Sequence, residues 1–432
     1  MRKIHSFYIT ILFLFLSLGS SFAQTNTFSP YSRFGLGDLA NSNPGYSRGM
    51  GGVGIGFQNP NQINFLNPAG QTAQDTMSFV FDVGLSGNFT KYATSSRSMN
   101  RFNVNFSHLG LGFPITRWMA ACFGTQPYSS VGYDVKTTAA NFPDIGIVNY
   151  TNKGSGDLNR YFLGLAARIK NLSVGVTGYY LLGTLTYTNT TLPDDISSYA
   201  TETYADYTVK DVYFGLGAQY RFNINSQTSM ILGTTFDFKS NLRATESKLQ
   251  TQYIVPEFGI SPKASVDTLY LSKEKNKHIT LPSKFGLGAS ITFKKKLTVA
   301  FDYVYQDWSN FQIPTDFQAN TSAIVTRSNA YHFGAQYIPN YHAIRGYLPH
   351  VSFRCGGHLQ DSYLSINGQK VKEYGLSLGL GLPFKGSRNM LHFNYEFGRR
   401  GTTNQGLVLE KYHAISLSLS FYDFWFLKPK FD

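Results

Sequence analysis

Apolar and polar residues alternate along the chain with a period of two from Met77 onward. Over 297–306 the apolar face carries Leu297, Val299, Phe301, Tyr303 and Tyr305, and the opposite face carries Thr298, Ala300, Asp302 and Gln306. The stretches 391–397 and 415–421 repeat this alternation, with Ser, Asn, His and Glu on the second face. Side chains of a β-strand point alternately to its two faces, so the pattern predicts strands with one apolar and one polar face.

A soluble β-sandwich would show the same alternation, but its outer faces would carry many charges. Here the second face consists mostly of Ser, Thr, Asn and Gly, as in the lumen of a transmembrane barrel. About fourteen period-two runs bounded by turn residues follow one another along the chain. Because single-chain bacterial barrels have an even number of strands, we predict an all-β, antiparallel transmembrane barrel of about 14 strands in the outer membrane.

The connections between these runs are alternately short and long. Short turns are expected near 114–117, 170–171, 223–226, 294–296 and 385–387, and long polar connections near 137–156, 191–203, 246–278 and 312–324. Barrels of this class have short periplasmic turns and longer external loops, so the two sets are assigned to opposite sides of the membrane. The longest connection, 246–278, is expected to form a cap over the mouth.

The first 23 residues have the features of a secretory signal peptide. Arg2 and Lys3 precede an apolar run over 7–18, and a cleavage region with small residues ends at Ala23. The apolar run is too short to span a bilayer as a helix. We therefore expect cleavage after Ala23 and export of the remaining chain.

Residues 24–75 are rich in Ser, Asn, Gly and Pro and show no sustained period. Disorder would explain this composition, but apolar residues are interspersed from Phe28 to Leu66, and a solvated tail has little use for them. We therefore expect residues 24–75 to form a hatch inside the lumen, and residues 76–432 to form the barrel with a C-terminal tail. The stretch Gly49–Gly70 is its centre, because glycine permits positive φ and close backbone packing.

Charge and cysteine content exclude several functions. The formal net charge is +13, but the sequence has no basic helix and no basic cluster beyond Lys294–Lys296, so we expect no nucleic-acid partner. Outer-membrane lipid or lipopolysaccharide is the more natural anionic partner, and charge that serves only solubility is the alternative. Alternation directs Cys122 inward and Cys355 outward, so we expect no disulfide between them.

The sequence contains no constellation typical of an enzyme. Five histidines lie in predicted strands, and none belongs to a recognisable nucleophile motif: His108, His332, His358, His392 and His413. Neither HExxH spacing nor a phosphate loop occurs, and the GxGxxG-like spacing in the hatch neither follows a strand nor opens a helix. We expect no catalytic residue, no cofactor and no metal site.

Several segments together resemble the FadL/TodX family of outer-membrane transporters for long-chain fatty acids and other hydrophobic compounds. These are GMGGVGIG at 49–56 with NPAG at 67–70, LPSKFGLGASI from Leu281, and DYVYQDWSNF from Asp302. The resemblance covers nearly all of the mature chain and implies a fourteen-stranded barrel with a hatch. It also implies uptake of a hydrophobic molecule and its lateral release into the membrane. The hatch residues singled out are Gly51, Gly52, Gly54, Asn67, Pro68 and Ala69.

The C-terminal tail FWFLKPKFD departs from this family pattern, because barrel proteins commonly end on an aromatic residue of the last strand. It resembles the tails of outer-membrane proteins from the Bacteroidetes. The departure weakens the transfer of substrate identity from the family.

The third predicted strand contains Gly124 and Pro127 near its middle. Proline cannot donate to a strand ladder, so it leaves a gap or bulge in a closed wall. An ordinary strand end would also tolerate this proline. Since the resemblance implies a lateral exit at a kink in the third strand, Gly124 and Pro127 are the candidate lateral gate.

The alternation of strand faces also places some charged residues on the inward face, in the lumen. These are Arg101, Arg168, Arg354, Asp237, Asp302 and Glu396. Such groups can neutralise and hydrogen-bond one another beside a hatch, which is a structural role. An arginine among them could instead bind the headgroup of a carboxylate-bearing lipid.

Two functions from different classes follow. The first is passive uptake of a fatty acid or aromatic compound, with lateral release through the barrel wall. The second is a structural or assembly role as the barrel partner of protein-secretion machinery. A transporter should have an apolar groove that leads to a lateral gap, whereas a scaffold could be fully plugged and expose an apolar loop.

Overall fold

The computed structural model describes residues 26–41, 43–142, 146–194, 198–254, 265–311, 323–340, 343 and 345–424. The predicted signal peptide and the predicted tail beyond residue 424 lie outside the described residues. Within the described ranges, no helix is long and apolar enough to cross a membrane.

Strands make up most of the described chain. They are β1 (Asp38–Leu39), β2 (Ser78–Ala93), β3 (Ser98–Pro114), β4 (Met119–Phe142), β5 (Gly146–Ile169), β6 (Leu172–Pro193), β7 (Tyr199–Asn225), β8 (Thr228–Asp237), β9 (Ser240–Ile254), β10 (Ser265–Leu281), β11 (Lys284–Phe293), β12 (Leu297–Asp307), β13 (Ala323–Val325), β14 (Arg327–Tyr337), β15 (Ser352–Ile366), β16 (Gln369–Pro383), β17 (Met390–Arg400) and β18 (Leu409–Phe424). The helical elements are short: α1 (Gly45–Arg48) and 3₁₀ turns at Pro30–Arg33, Pro68–Ala73, Leu348–His350 and Asn404–Gly406.

The wall is a closed antiparallel barrel of 14 strands. The strand order is β2-β3-β4-β5-β6-β7-β8-β11-β12-β14-β15-β16-β17-β18, and β18 pairs with β2 to close the ring. Each of these 14 strands pairs with a neighbour on both sides, so the ring has no edge strand, as the cost of unpaired backbone groups in a membrane requires. The predicted strand number and antiparallel topology are therefore confirmed.

The two faces of each strand follow the predicted alternation. In β16, Leu376 and Leu378 are 70% and 61% exposed on the outer surface, while Ser377 between them is 3% exposed. The two cysteines lie on opposite faces, with Cys122 buried and Cys355 exposed. The apolar side chains therefore form the outer belt, and small polar side chains line the lumen.

The predicted cap over 246–278 is wrong for the described part of that connection. Residues 246–254 and 265–278 belong to β9 and β10, which pair with each other and extend the wall beyond β8 and β11. Residues 255–264 lie outside the described residues. Sequence pattern misses the outer part of this hairpin, because the alternation of buried and exposed positions around Leu242 and Ala244 does not continue through 247–254.

The outer belt predicts a depth-dependent response to charge. Leu376→Arg, at the centre of β16, should lower the free energy of unfolding by about 2–4 kcal/mol, because a cation there contacts acyl chains. The control Ile169→Arg, at the end of β5, should cost about 0–1 kcal/mol. Denaturant unfolding of the protein in lipid vesicles measures both, and equal losses would contradict a membrane-facing belt.

Candidate functional site

Residues 43–75 are called the hatch body. They pack against the inner surface of the wall so closely that hatch backbone meets wall backbone. Gly51 and Gly52 are buried and have φ of +68° and +93°, a region that side-chain-bearing residues avoid. A Cβ on Gly51 would lie 2.5 Å from both the Gly357 nitrogen and the Phe333 carbonyl oxygen of the wall. Glycine at this position therefore allows the hatch backbone to touch two wall strands.

Asp302 of β12 binds the next part of the hatch body. Its Oδ2 accepts the N–H of Gly54 at 2.6 Å and the N–H of Ile55 at 2.8 Å. Ser290 of β11 donates to the Gly56 carbonyl at 2.6 Å, and Gln219 of β7 donates to the Ile55 carbonyl at 2.7 Å. Side chains from three strands thus satisfy the backbone of one hatch turn.

Asn67 joins the end of the hatch body to the wall. It is fully buried, and its side-chain oxygen accepts the N–H of Ala69 at 3.1 Å, which caps the 3₁₀ turn that begins at Pro68. Its Nδ2 lies 2.9 Å from the Ile55 carbonyl and 3.2 Å from the Ala218 carbonyl of β7. Asn67 therefore connects two hatch segments and one wall strand.

A chain of buried polar side chains lies on the other side of the lumen. His392 is 2.9 Å from the Gln62 amide of the hatch body and 2.8 Å from an Arg354 guanidinium nitrogen. Ser420 is within 3.2 Å of His392 and donates to Asp82 at 3.0 Å. This chain crosses the β18–β2 seam at which the barrel closes.

The β3–β4 interface is the shortest between neighbouring barrel strands. Its pairing runs from Leu109–Thr125 to Pro114–Ala120, which is six residue pairs, whereas the next shortest interface, between β14 and β15, has nine. The register of β4 against β5 shifts between Pro127 and Ser129. The described parts of β3 and β4 therefore separate beyond Thr125 and leave a gap in the wall.

Residues 26–41, the N-terminal segment, lie behind this gap and bond to both of its sides. In the segment, β1 pairs with β4 at Asp38–Ser130 and Leu39–Ser129. On the β3 side, the Asn26 carbonyl accepts hydrogen bonds from Asn103 at 2.6 Å and from Asn105 at 2.8 Å. The segment thus takes the place of the missing strand pairing.

A cluster at the ends of β17 and β18 holds the same segment from the other side. Arg400 donates to Asp38 at 2.6 Å, and its guanidinium carbon lies 5.2 Å from the Tyr31 ring centroid. Ser29 donates to Glu410 at 2.5 Å, and Tyr31 donates to the Val408 carbonyl at 2.5 Å. Charged and neutral bonds therefore fix the segment in its closed position.

The space behind the gap is filled with apolar and aromatic side chains. Tyr31, Phe34 and Leu36 of the segment belong to the same buried cluster as Phe162, Tyr179 and Tyr213 of the wall. The Tyr179 and Tyr213 rings stack with centroids 4.7 Å apart. The gap is therefore backed by packed apolar surface and not by open water.

The lumen also contains a cavity of about 260 Å³. Its lining includes the charged or ionisable residues Arg160, Asp237, Lys284, Asp302, His332, His358, Glu373 and Arg400. Lys284 and Asp237 are directly opposite each other on β11 and β8. Apolar side chains such as Leu66, Phe238 and Val304 also line it, so the cavity is mixed in character. Among the described residues, no group of three or more His, Cys, Asp or Glu side chains could hold a metal ion.

The structure separates the predicted lumen charges into two groups. Arg354, Asp237, Asp302 and Glu396 face the lumen, where Glu396 accepts a hydrogen bond from Tyr412 at 3.0 Å. Arg101 and Arg168 are exposed instead. Arg101 lies over the Phe28 ring beside the gap, and Arg168 lies at the short-turn end of β5. Parity identifies the face of a strand but not the depth in the lumen.

Sequence inspection missed Arg160 and Arg400. Arg160 has the same parity as Arg168 on β5, and Arg400 has the same parity as Glu396 on β17. Extending the alternation to every charged residue of these strands would have found both. Of the predicted gate residues, Gly124 pairs with Gly110 in the last paired part of β3, and Pro127 lies at the register shift of β4.

A family model described as BamG matches residues 2–432. The chain belongs to the BamG family. No curated protein matches it. This BamG-family chain has the apolar outer surface and the fold of an outer-membrane β-barrel.

Three solved structures share this fold at low sequence identity. The CymD monoaromatic hydrocarbon channel is 18% identical with a TM-score of 0.56, covering 88% of this chain and 97% of that one. A Pseudomonas aeruginosa FadL homologue is 12% identical with a TM-score of 0.59, covering 91% and 100%. The Pseudomonas putida toluene transporter TodX is 15% identical with a TM-score of 0.57, covering 90% and 98%. The FadL-type fold expected from the sequence is therefore confirmed.

Asp302→Ala should loosen the hatch body while the barrel stays closed. The substitution leaves the Gly54 and Ile55 N–H groups without their acceptor, at a cost of about 1–3 kcal/mol for each. Faster proteolysis within residues 43–75 of the membrane-embedded protein would report the loosening. Asp307→Ala, at the exposed end of the same strand, is the matched control. Equal cleavage of both variants would show that Asp302 does not hold the hatch.

Proposed function

We propose that this protein carries a hydrophobic small molecule, such as a fatty acid or an aromatic compound, across the outer membrane by passive diffusion. The molecule leaves the lumen laterally through the gap between β3 and β4. One observation carries the proposal: strand pairing stops beyond Leu109–Thr125, and the hatch's own residues 26–41 occupy the space behind the gap. Pro127 lies on the β4 side of this lateral gate, and Gly124, which pairs with Gly110, lies at its closed edge.

The fold comparison supports the class of cargo. CymD is described as a monoaromatic hydrocarbon channel and TodX as a toluene transporter. The apolar cluster around Phe34, Phe162 and Tyr179 supplies a surface on which such a molecule gains free energy on leaving water.

The N-terminal segment must move for a molecule to pass. In the closed position its β1 strand pairs with β4, and Asp38 binds Arg400. Ligand that displaces Tyr31, Phe34 or Leu36 from the apolar cluster would exchange one apolar contact for another. Opening therefore costs mainly the polar bonds at the two ends of the segment.

A reversible cross-link tests this proposal. Leu39→Cys with Ser129→Cys creates a disulfide between directly opposed residues of β1 and β4, in a background of Cys122→Ala and Cys355→Ala. Uptake of labelled oleate or toluene is measured in cells that lack their own FadL-type channels. Oxidation should reduce uptake about tenfold, and reduction of the disulfide should restore it, because the segment can then leave the gap.

The matched control joins two wall strands that do not separate. Val299→Cys with Ala335→Cys links opposed residues of β12 and β14 and should leave uptake unchanged in both redox states. Undiminished uptake by the oxidised β1–β4 protein would exclude passage through this gap.

The second candidate function is a structural or assembly role as the barrel partner of secretion machinery. The way the hatch body fills the lumen favours it. The hatch body is bonded to the wall at Asp302, Gln219 and Asn67, and the described lumen cavity is lined by charged groups. Purification from native membranes distinguishes the two functions. A specific bound fatty acid or aromatic compound supports transport, whereas a stoichiometric secretion subunit without bound ligand assigns the protein to assembly.

A further inference from the structure

The short-turn end of the barrel is strongly basic. Six connections lie at this end. The exposed cations in them or at the adjoining strand ends are Arg117, Arg168, Lys170, Arg221, Lys294, Lys295, Lys296, Arg345, Lys385 and Arg388. We call these ten residues the basic rim. Asp75 and Asp423 are the carboxylates of the described chain at the same end, and Asp75 already pairs with Arg388. The basic rim therefore carries a large net positive charge.

The opposite end of the barrel is different, because it carries many carboxylates beside its cations, and several of these groups pair with one another. Exposed ion pairs of the long-loop end join Lys153 to Asp134 at 3.7 Å, Arg243 to Asp211 at 3.4 Å, Lys277 to Glu274 at 2.8 Å, Arg327 to Asp307 at 3.4 Å and Lys370 to Asp361 at 3.5 Å. Among the described residues of the basic rim, Arg388 alone has a carboxylate within 4 Å. The positive charge of the rim is thus left for an external anion.

Several cations of the basic rim are sequence neighbours of exposed apolar residues. Trp118 is 54% exposed next to Arg117, Ile169 is 68% exposed next to Lys170, and Phe293 is 43% exposed next to Lys294. Aromatic and long cationic side chains at such a boundary lie at the level of lipid headgroups. The basic rim therefore surrounds the barrel at the edge of the apolar belt.

We propose that the basic rim binds the headgroups of anionic phospholipids in the leaflet that contacts the short turns. The cations Arg117, Lys170, Lys294–Lys296, Arg345, Lys385 and Arg388 are spread over five connections around the circumference, as a surrounding lipid annulus requires, and are not gathered on one face. Arg168 and Arg221, at the ends of β5 and β7, lie on the lumen side of the rim, where Arg221 donates to Gln58 of the hatch body at 2.6 Å. Guanidinium groups bind phosphate through two parallel hydrogen bonds, and lysine adds point charge. This property is independent of passage through the lumen.

Trp118 provides a local probe for the lipid test. Trp308 is fully buried, so quenchers in the lipid do not contact it. Trp425→Phe is introduced in every variant. Quenching of tryptophan fluorescence by contact with lipid therefore reports on Trp118. The full-length protein is placed in phosphatidylcholine vesicles that contain increasing fractions of phosphatidylglycerol brominated in its acyl chains. Brominated phosphatidylcholine serves as the reference lipid.

The variant that tests the proposal combines Arg117→Gln, Lys170→Gln, Lys294→Gln and Lys296→Gln. The matched control removes four exposed cations from the long-loop end: Lys91→Gln, Lys136→Gln, Lys210→Gln and Lys273→Gln. Both variants change the net charge by the same amount. A folded barrel resists unfolding in detergent until the sample is heated. This resistance is checked for each variant.

The parent protein should associate with phosphatidylglycerol roughly three- to tenfold more strongly than with phosphatidylcholine, and high salt should remove the preference. The basic-rim variant should lose the preference, and the long-loop variant should keep it. Equal quenching by the two lipids, or a preference that survives the basic-rim substitutions, would overturn the proposal. If the basic-rim variant keeps its lipid preference but no longer binds an acidic protein that the parent binds, the rim is a protein-binding surface and the proposal is overturned.

Discussion

Every backbone N–H and C=O group that enters the closed lumen needs a hydrogen-bond partner away from bulk water, because each unsatisfied group costs free energy. The hatch meets this requirement partly through its own short turns and asparagine side chains, and partly through side chains of the wall. Asp302 accepts two successive N–H groups, and Gln219 and Ser290 donate to the carbonyls that follow. Most side chains on the lumen face are small. The few polar side chains among them that reach the hatch therefore bond to its irregular backbone.

The two parts of the hatch are attached to different places in the barrel. Residues 43–75 touch several wall strands, including glycines whose lack of a side chain admits the hatch backbone. Residues 26–41 bridge the β3–β4 gap and are tied to the ends of β17 and β18 through Asp38 and Arg400. Release of the second part would open the wall while the first part stays in place.

Much of this architecture could be predicted from the sequence, because a two-residue period records which face of a strand meets lipid. The same period places Asp302 and Arg354 inward, and the glycine and asparagine content of 49–70 indicates irregular, close-packed backbone. The outer part of the β9–β10 hairpin, such as 247–254, has no such period. Arg101 shows a second limit: its parity is inward, yet its position beside the β3–β4 gap exposes it. Pairing partners such as Asp38 and Arg400 lie 362 residues apart, so only the folded ring brings them together.

The central claim is that the hatch has a fixed body and a separable N-terminal segment. Hydrogen exchange of the full-length protein in lipid nanodiscs, resolved by mass spectrometry, measures this directly. Amides of residues 26–41 should exchange at least about tenfold faster than those of residues 45–57, because their opening breaks fewer wall contacts. Equal protection of the two parts, with exchange in a single cooperative step, would contradict the account and identify the hatch as one immobile stopper.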